Sequence, residues 1–166
     1  DADIRGVTIR RQDGSGAPDP DNPHPEKKVP YLVDGDERVR ERGAIMLYLT
    51  DKYPQAKLGP LPGEAGRGAY LSWLSYYQGI MEPLLILQWA GIDHPVVTDG
   101  LGDMERMLET LSVSLRTGPW LLGERFSAAD MLLSSPFQWC GDALPAGPQV
   151  RDWVDRCAKQ VSAQTA

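Results

Sequence analysis

Two pairs of residues are the candidates for chemistry in this chain, Val29-Pro30 and Glu41-Arg42. A proline at the head of a strand gives up one ladder donor, and an X-Pro bond is the common setting for a cis peptide. A cis bond would turn the N–H and C=O of Val29 outward, toward an extended, peptide-like ligand. A trans bond would make Pro30 the opener of an edge strand. Glu41-Arg42 falls where a second short strand gives way to a helix pattern. Free N–H groups and the positive end of the helix dipole make such a place a cradle for a carboxylate or phosphate. A glutamate there can also accept from a ligand ammonium, so the pair suits a zwitterionic amino-acid head group. Read alone, Glu41 is an acid at a helix start.

The elements around these pairs follow from pattern and punctuation. Residues 31–33 and 37–40 flank Asp34-Gly35, a hairpin signal, because both central positions of a type I′ turn need positive φ. A helix follows from about Arg42, with Ala44, Ile45, Tyr48 and Leu49 on one face, and Lys52-Tyr53-Pro54 stops it. Upstream, Ile4, Val7 and Ile9 alternate imperfectly and predict a short strand. Pro18, Pro20, Pro23 and Pro25 then forbid a regular element, leaving a long loop that reads as a solvated connector or a binding lid. Pro/Gly punctuation over 55–68 marks a linker.

From Ala69 onward the period is helical. Tyr70, Trp73, Leu74, Tyr77, Met81, Leu84 and Leu85 line one face of a long helix, with Gly79 and Pro83 as its kink. Met104, Met107, Leu108, Leu111 and Leu115 form a second stripe. Val150, Trp153, Val154, Cys157 and Val161 form the stripe of a final helix. Before it, Ser127 as N-cap and Asp130 at N3 approximate a capping box, with Phe126 and Met131 at the staple positions. These residues serve folding. The organisation is an α/β part over 1–54, a linker over 55–68 and an all-α part over 69–166.

Composition narrows the function. With 166 residues, 42% hydrophobic and 24% charged, the chain can bury a real core. A net charge of −6 argues against a nucleic-acid-binding face, and Arg38, Arg40 and Arg42 alternate with acids as on a solvated edge. Cys140 and Cys157 stand on helical stripes and read as buried free thiols in a reducing cytosol. His24 and His94 have no ligand-spaced neighbours, so no metal site is expected. No apolar run reaches the roughly 20 residues of a membrane span.

The Val29-Pro30 strand, the Glu41-Arg42 step into "ERGAIMLYL" and the capped segment "PWLLGERFSAADMLL", in this order, resemble the glutathione transferase family, in its bacterial cytosolic form. The resemblance runs from Ile4 through the last helix. It implies a thioredoxin-like α/β N-terminal domain followed by an all-α domain, a cytoplasmic homodimer, and glutathione as co-substrate. Carried over by position, Lys28 would meet the glycyl carboxylate of glutathione. Val29, before a cis Pro30, would pair main chain to main chain with the cysteinyl part. Glu41, with the N–H and side chain of Arg42, would take the γ-glutamyl end. Tyr77 and Met81, from helical periodicity only, would face the second substrate. The family more often has Ser where Arg42 stands and Gly where Lys27 stands.

The group that acts on the thiol in this family is a Tyr, Ser or Cys at the first strand, and no residue of this chain maps onto it. It is expected upstream of Asp1, in a preceding strand-helix unit, because losing the family's first strand would leave two buried sheet edges unpaired. The activity implied is transfer of the glutathione thiolate to a small hydrophobic electrophile, a detoxification-type conjugation. The alternatives are a glutathione-dependent thiol reductase or lyase, and a non-enzymatic binding or regulatory module.

Overall fold

The computed structural model describes residues 3–11, 14–141, 144 and 146–165. Its sheet is one antiparallel hairpin of β1 (Tyr31–Asp34) and β2 (Glu37–Arg40), paired from Tyr31 against Arg40 to Asp34 against Glu37. The turn is therefore Gly35-Asp36 and not Asp34-Gly35. Gly35 takes φ 60° and Asp36 is not left-handed, the type II′ pattern with glycine at the first central position.

The strand expected over Ile4–Ile9 is absent. That stretch has no ladder partner among the described residues, and Ile4 is 89% exposed. It is tied instead by single loop bonds, such as Asp19 N–H to the Thr8 carbonyl at 3.1 Å.

Helix α1 (Arg42–Lys52) packs on two neighbours at once. Gly43 and Thr50 are buried and Met46 and Leu47 pack on the helical core, whereas Ala44 is exposed and Ile45, Tyr48 and Leu49 are half-buried. The expected apolar face is thus rotated. Its members serve the hairpin side, where the Asp34 carboxylate accepts from the Tyr48 hydroxyl at 2.8 Å and from the Lys52 ammonium. Thr50 reaches the helical side, its hydroxyl 3.1 Å from that of Tyr70.

The proline-rich linker is docked. The Leu58 carbonyl accepts from Ala128 N–H at 2.7 Å and the Gly59 carbonyl from Arg125 at 3.0 Å. The long helix is α2 (Arg67–Tyr76), a π-helical turn (Tyr77–Met81) and α3 (Glu82–Trp89). The expected kink at Gly79 and Pro83 is that π turn, one extra residue in the ladder, with Pro83 in the first turn of α3. A short α4 (Pro95–Leu101), capped by His94, was not legible; α5 (Met104–Ser114) and α7 (Pro148–Thr165) match the stripes, and α6 (Ala128–Cys140) starts at the expected cap.

The core lies among α2, α3, α5, α6 and α7, with Tyr70, Met81, Leu111, Leu133 and Trp153 fully enclosed. Asp130 is its polar node. Its carboxylate accepts from Leu121 N–H (2.8 Å), Ser127 N–H (2.9 Å), the Ser127 hydroxyl (3.0 Å) and Trp153 Nε1 (3.0 Å). The box that caps α6 therefore also fastens α7 and the loop at Leu121. Burial pushes the Asp130 carboxyl up, against the lowering pull of these donors.

Candidate functional site

The hairpin register brings the two candidate pairs together. Tyr31 faces Arg40 in the last rung of the ladder, so Val29-Pro30 runs into, and Glu41-Arg42 runs out of, the same end of the hairpin. The Val29-Pro30 bond is cis, and Val29 is 48% exposed. Glu41 turns the chain from β2 into α1 with φ 67°, a left-handed backbone rare for a residue with a side chain.

The segment before Pro30 is held by its own polar network. Asn22 and His24 are buried, at 2% and 4% exposure. Asn22 Nδ2 donates to the Lys28 carbonyl at 3.0 Å, while its Oδ1 accepts from His24 N–H at 2.9 Å. Lys27 donates its ammonium to the carbonyls of Pro20 (3.0 Å) and Asn22 (2.7 Å). The part of this loop nearest the strand is therefore more than a solvated connector: these bonds tie residues 20–28 together. The Lys28 ammonium is exposed and lies 2.6 Å from Glu26 Oε2, which raises the lysine's pKa; the Glu41 charge adds to the same shift.

At the other side, α1 meets the π turn in a polar seam. Arg42 Nη1 donates to the Tyr77 hydroxyl at 2.6 Å, Arg42 Nη2 lies 2.8 Å from Glu82 Oε1, and the guanidinium stands 5.4 Å from the Tyr77 ring centroid. Gln78 Nε2 donates to Glu41 Oε2 at 2.8 Å, and Gln78 Oε1 accepts from Gly43 N–H at 3.1 Å. The Arg42 side chain, expected at the γ-glutamyl end, is committed to the helical body. Its main-chain N–H, in the first turn of α1, has no intrahelical acceptor.

Tyr77 and Met81, expected against a second substrate, are core residues at 1% and 0% exposure. Periodicity identified their apolar stripe but not which way it faced. Burial pushes the Tyr77 phenol up to about 12, so it is a neutral hydroxyl near pH 7. Cys157 is enclosed, its thiol pushed up to about 12 by burial, which makes it a poor thiolate. Ser127 and Asp130 belong to the core node described above, away from the seam. The residues missed were Gln78, Glu82 and Gly43. The one signal in the sequence is the i, i+4 pair of polar residues, Gln78 and Glu82, within an otherwise apolar stretch. Among the described residues no cluster of three or more His, Cys, Asp or Glu could hold a metal ion, and no helix is long and apolar enough to cross a membrane.

Residues 94–156 match the family model for the glutathione S-transferase C-terminal domain. The chain is 26% identical over 152 residues to glutathione S-transferase F14 of Arabidopsis thaliana, covering 80% of this chain and 60% of that protein. The crystal structure of a glutathione transferase from Methylococcus capsulatus superposes with TM-score 0.67 at 28% identity, covering 80% of this chain and 68% of that one. A sphingomonad glutathione S-transferase complexed with glutathione gives TM-score 0.58 at 25% identity, covering 81% of this chain and 76% of that one. The chain spans about 60% of the length of the first curated relatives it matches.

A hairpin and helix of the thioredoxin-like type, docked through the helix start onto an all-α body, define the fold class. Over about four-fifths of its length the chain is similar to glutathione transferases, in sequence and in fold.

Proposed function

We propose that the strip from Lys28 to Val29 and the start of α1 bind glutathione, and that the protein transfers the glutathione thiolate to a small hydrophobic electrophile. One observation supports this above the others: the exposed stretch at Val29 and a helix start that carries an acid adjoin the same end of the hairpin. In this reading Val29 pairs with the cysteinyl unit. Glu41 uses the carboxylate oxygen left over by Gln78 to accept from the γ-glutamyl ammonium. The Arg42 N–H donates to the neighbouring carboxylate, and Lys28 exchanges Glu26 for the glycyl carboxylate. Bound glutathione in the sphingomonad relative supports the ligand.

The test is calorimetric titration of the protein with glutathione. Glu41→Ala is expected to weaken binding by about tenfold to a hundredfold, the worth of a hydrogen bond to a charged group. Glu26→Ala, which frees Lys28, is expected to leave binding unchanged or tighter. Equal affinity of Glu41→Ala and wild type would overturn the site. Retention on immobilised glutathione without turnover of an aryl halide would overturn the transferase reading in favour of a binding module.

A further inference from the structure

The π turn places one side chain where it serves the proposed site and not the core. Tyr77 and Met81 turn into the body and Leu74 below them is buried, whereas Gln78 lies half-buried at the seam with both ends of its amide in use. We infer that Gln78 is a positioning residue for glutathione, holding the Glu41 carboxylate and the first turn of α1 in their binding geometry. The inference rests on the reading of Glu41 as the acceptor of the ligand ammonium.

Three observations converge on it. Glu41 holds φ 67°, a conformation that a residue with a side chain keeps only when its surroundings fix it. Gln78 is the side chain from the facing body that grips its carboxylate, and it takes Oε2 alone; Oε1 has no hydrogen-bond partner among the described residues. The second grip, on Gly43 N–H, depends on the absence of a side chain there. A Cβ on Gly43 would lie 2.7 Å from Gln78 Oε1 and 3.2 Å from the Leu74 carbonyl. With Gly43 N–H already engaged, the remaining donors of the first turn are left for a ligand carboxylate.

Only an amide of this length serves both partners. Glutamate accepts from Gly43 but cannot donate to Glu41, and lysine donates but cannot accept. A glutamate at position 78 would set two carboxylates in hydrogen-bond contact, and one of the two must then keep its proton well above the ordinary carboxylate range. The charged groups around them are Lys28 before β1, Arg42 on α1, and Glu82 with the neutral phenol of Tyr77 on the long helix.

The experiment is titration with glutathione of wild type, Gln78→Glu and Gln78→Met at pH 5 and pH 7.5, with thermal melts alongside. Gln78→Glu is expected to bind about tenfold or more weakly than wild type at pH 7.5 and to recover most of that loss at pH 5. Gln78→Met, which keeps the length and the packing, is expected to weaken binding equally at both pH values. A purely structural role would lower the melting temperature of both variants without the pH contrast between them, and that result overturns the inference. So does unchanged affinity in both variants when wild type binds and Glu41→Ala does not. Absence of wild-type binding overturns the parent reading itself, and the inference with it.

Discussion

Two of the molecule's polar nodes are each built around a carboxylate, and they do different work. At Asp130 a carboxylate at 0% exposure receives four donors from three segments, all inside the core. At the seam, Arg42, Glu82, Glu41 and Gln78 bridge α1 to the π turn with side chains that keep contact with water; those of Arg42 and Glu82 are 42% and 28% exposed. A buried polar group left without partners costs its full desolvation, whereas a solvated pair gains little and loses little. The first node therefore holds the fold together. The second can be rebuilt around a ligand at small cost to stability.

The largest effect expected from this contrast is at Asp130. Asp130→Ala leaves the Leu121 and Ser127 amides and the Trp153 indole N–H buried without an acceptor. The loss should be on the order of 4 kcal/mol in denaturant unfolding, with glutathione affinity of the folded fraction unchanged. A loss below about 1 kcal/mol would mean that the node is dispensable and that packing alone seats α7.

A second effect, smaller over the first pH unit of its onset, comes with alkaline pH and separates the nodes by residue. Cys157 belongs to the buried side, and its thiol is raised from an ordinary 9.0 to about 12, by burial first and with the Asp130 charge adding to it. Tyr77 belongs to the seam and is raised from 10.0 to about 12. The unfolded chain releases these protons earlier than the folded one, so raising the pH favours unfolding between the ordinary and the raised values. Stability should start to fall above about pH 9, by roughly 1.4 kcal/mol per pH unit for each group that titrates only in the unfolded chain. Cys157→Ala should delay the onset toward pH 10, where Tyr77 takes over. An onset that stays at pH 9 in the variant would show that the thiol is not the group responsible.

What could be read from the sequence divides along the same line. The Asp130 node was legible because its core is local: Ser127 and Asp130 are three residues apart, and a capping box needs no tertiary information. Even there, the donors from Leu121 and Trp153 were invisible. The Val29-Pro30 and Glu41-Arg42 pairs were legible as chemistry because a hairpin of known length joins them. The seam was not, since its partners are 35 and 37 positions apart and depend on a π turn whose extra residue decides which side chain faces α1. The same displacement explains Tyr77 and Met81: ideal 3.6-residue periodicity identified them as one stripe but could not say whether that stripe met a groove or the core. The strand expected over Ile4–Ile9 rested on imperfect alternation alone, and alternation without a pairing edge does not make a strand.

The smallest effect expected is at the seam's own ion pair, and its smallness is the point. Glu82→Gln keeps an oxygen for Arg42 Nη2 at the same length and removes only the charge. Because both side chains are partly solvated, the cost should be about 0.5 kcal/mol and below about 1 kcal/mol, a shift of only a few degrees at most in the melting temperature. That cost should fade further in 0.5 M salt, where exposed charges are screened. The Arg42 guanidinium would still hold the Tyr77 hydroxyl and ring face, so α1 should stay docked and glutathione affinity should change less than in Gln78→Glu. A loss above 2 kcal/mol that salt does not reduce would place Glu82 with Asp130 among the buried structural groups, and the distinction between the two nodes would fail there.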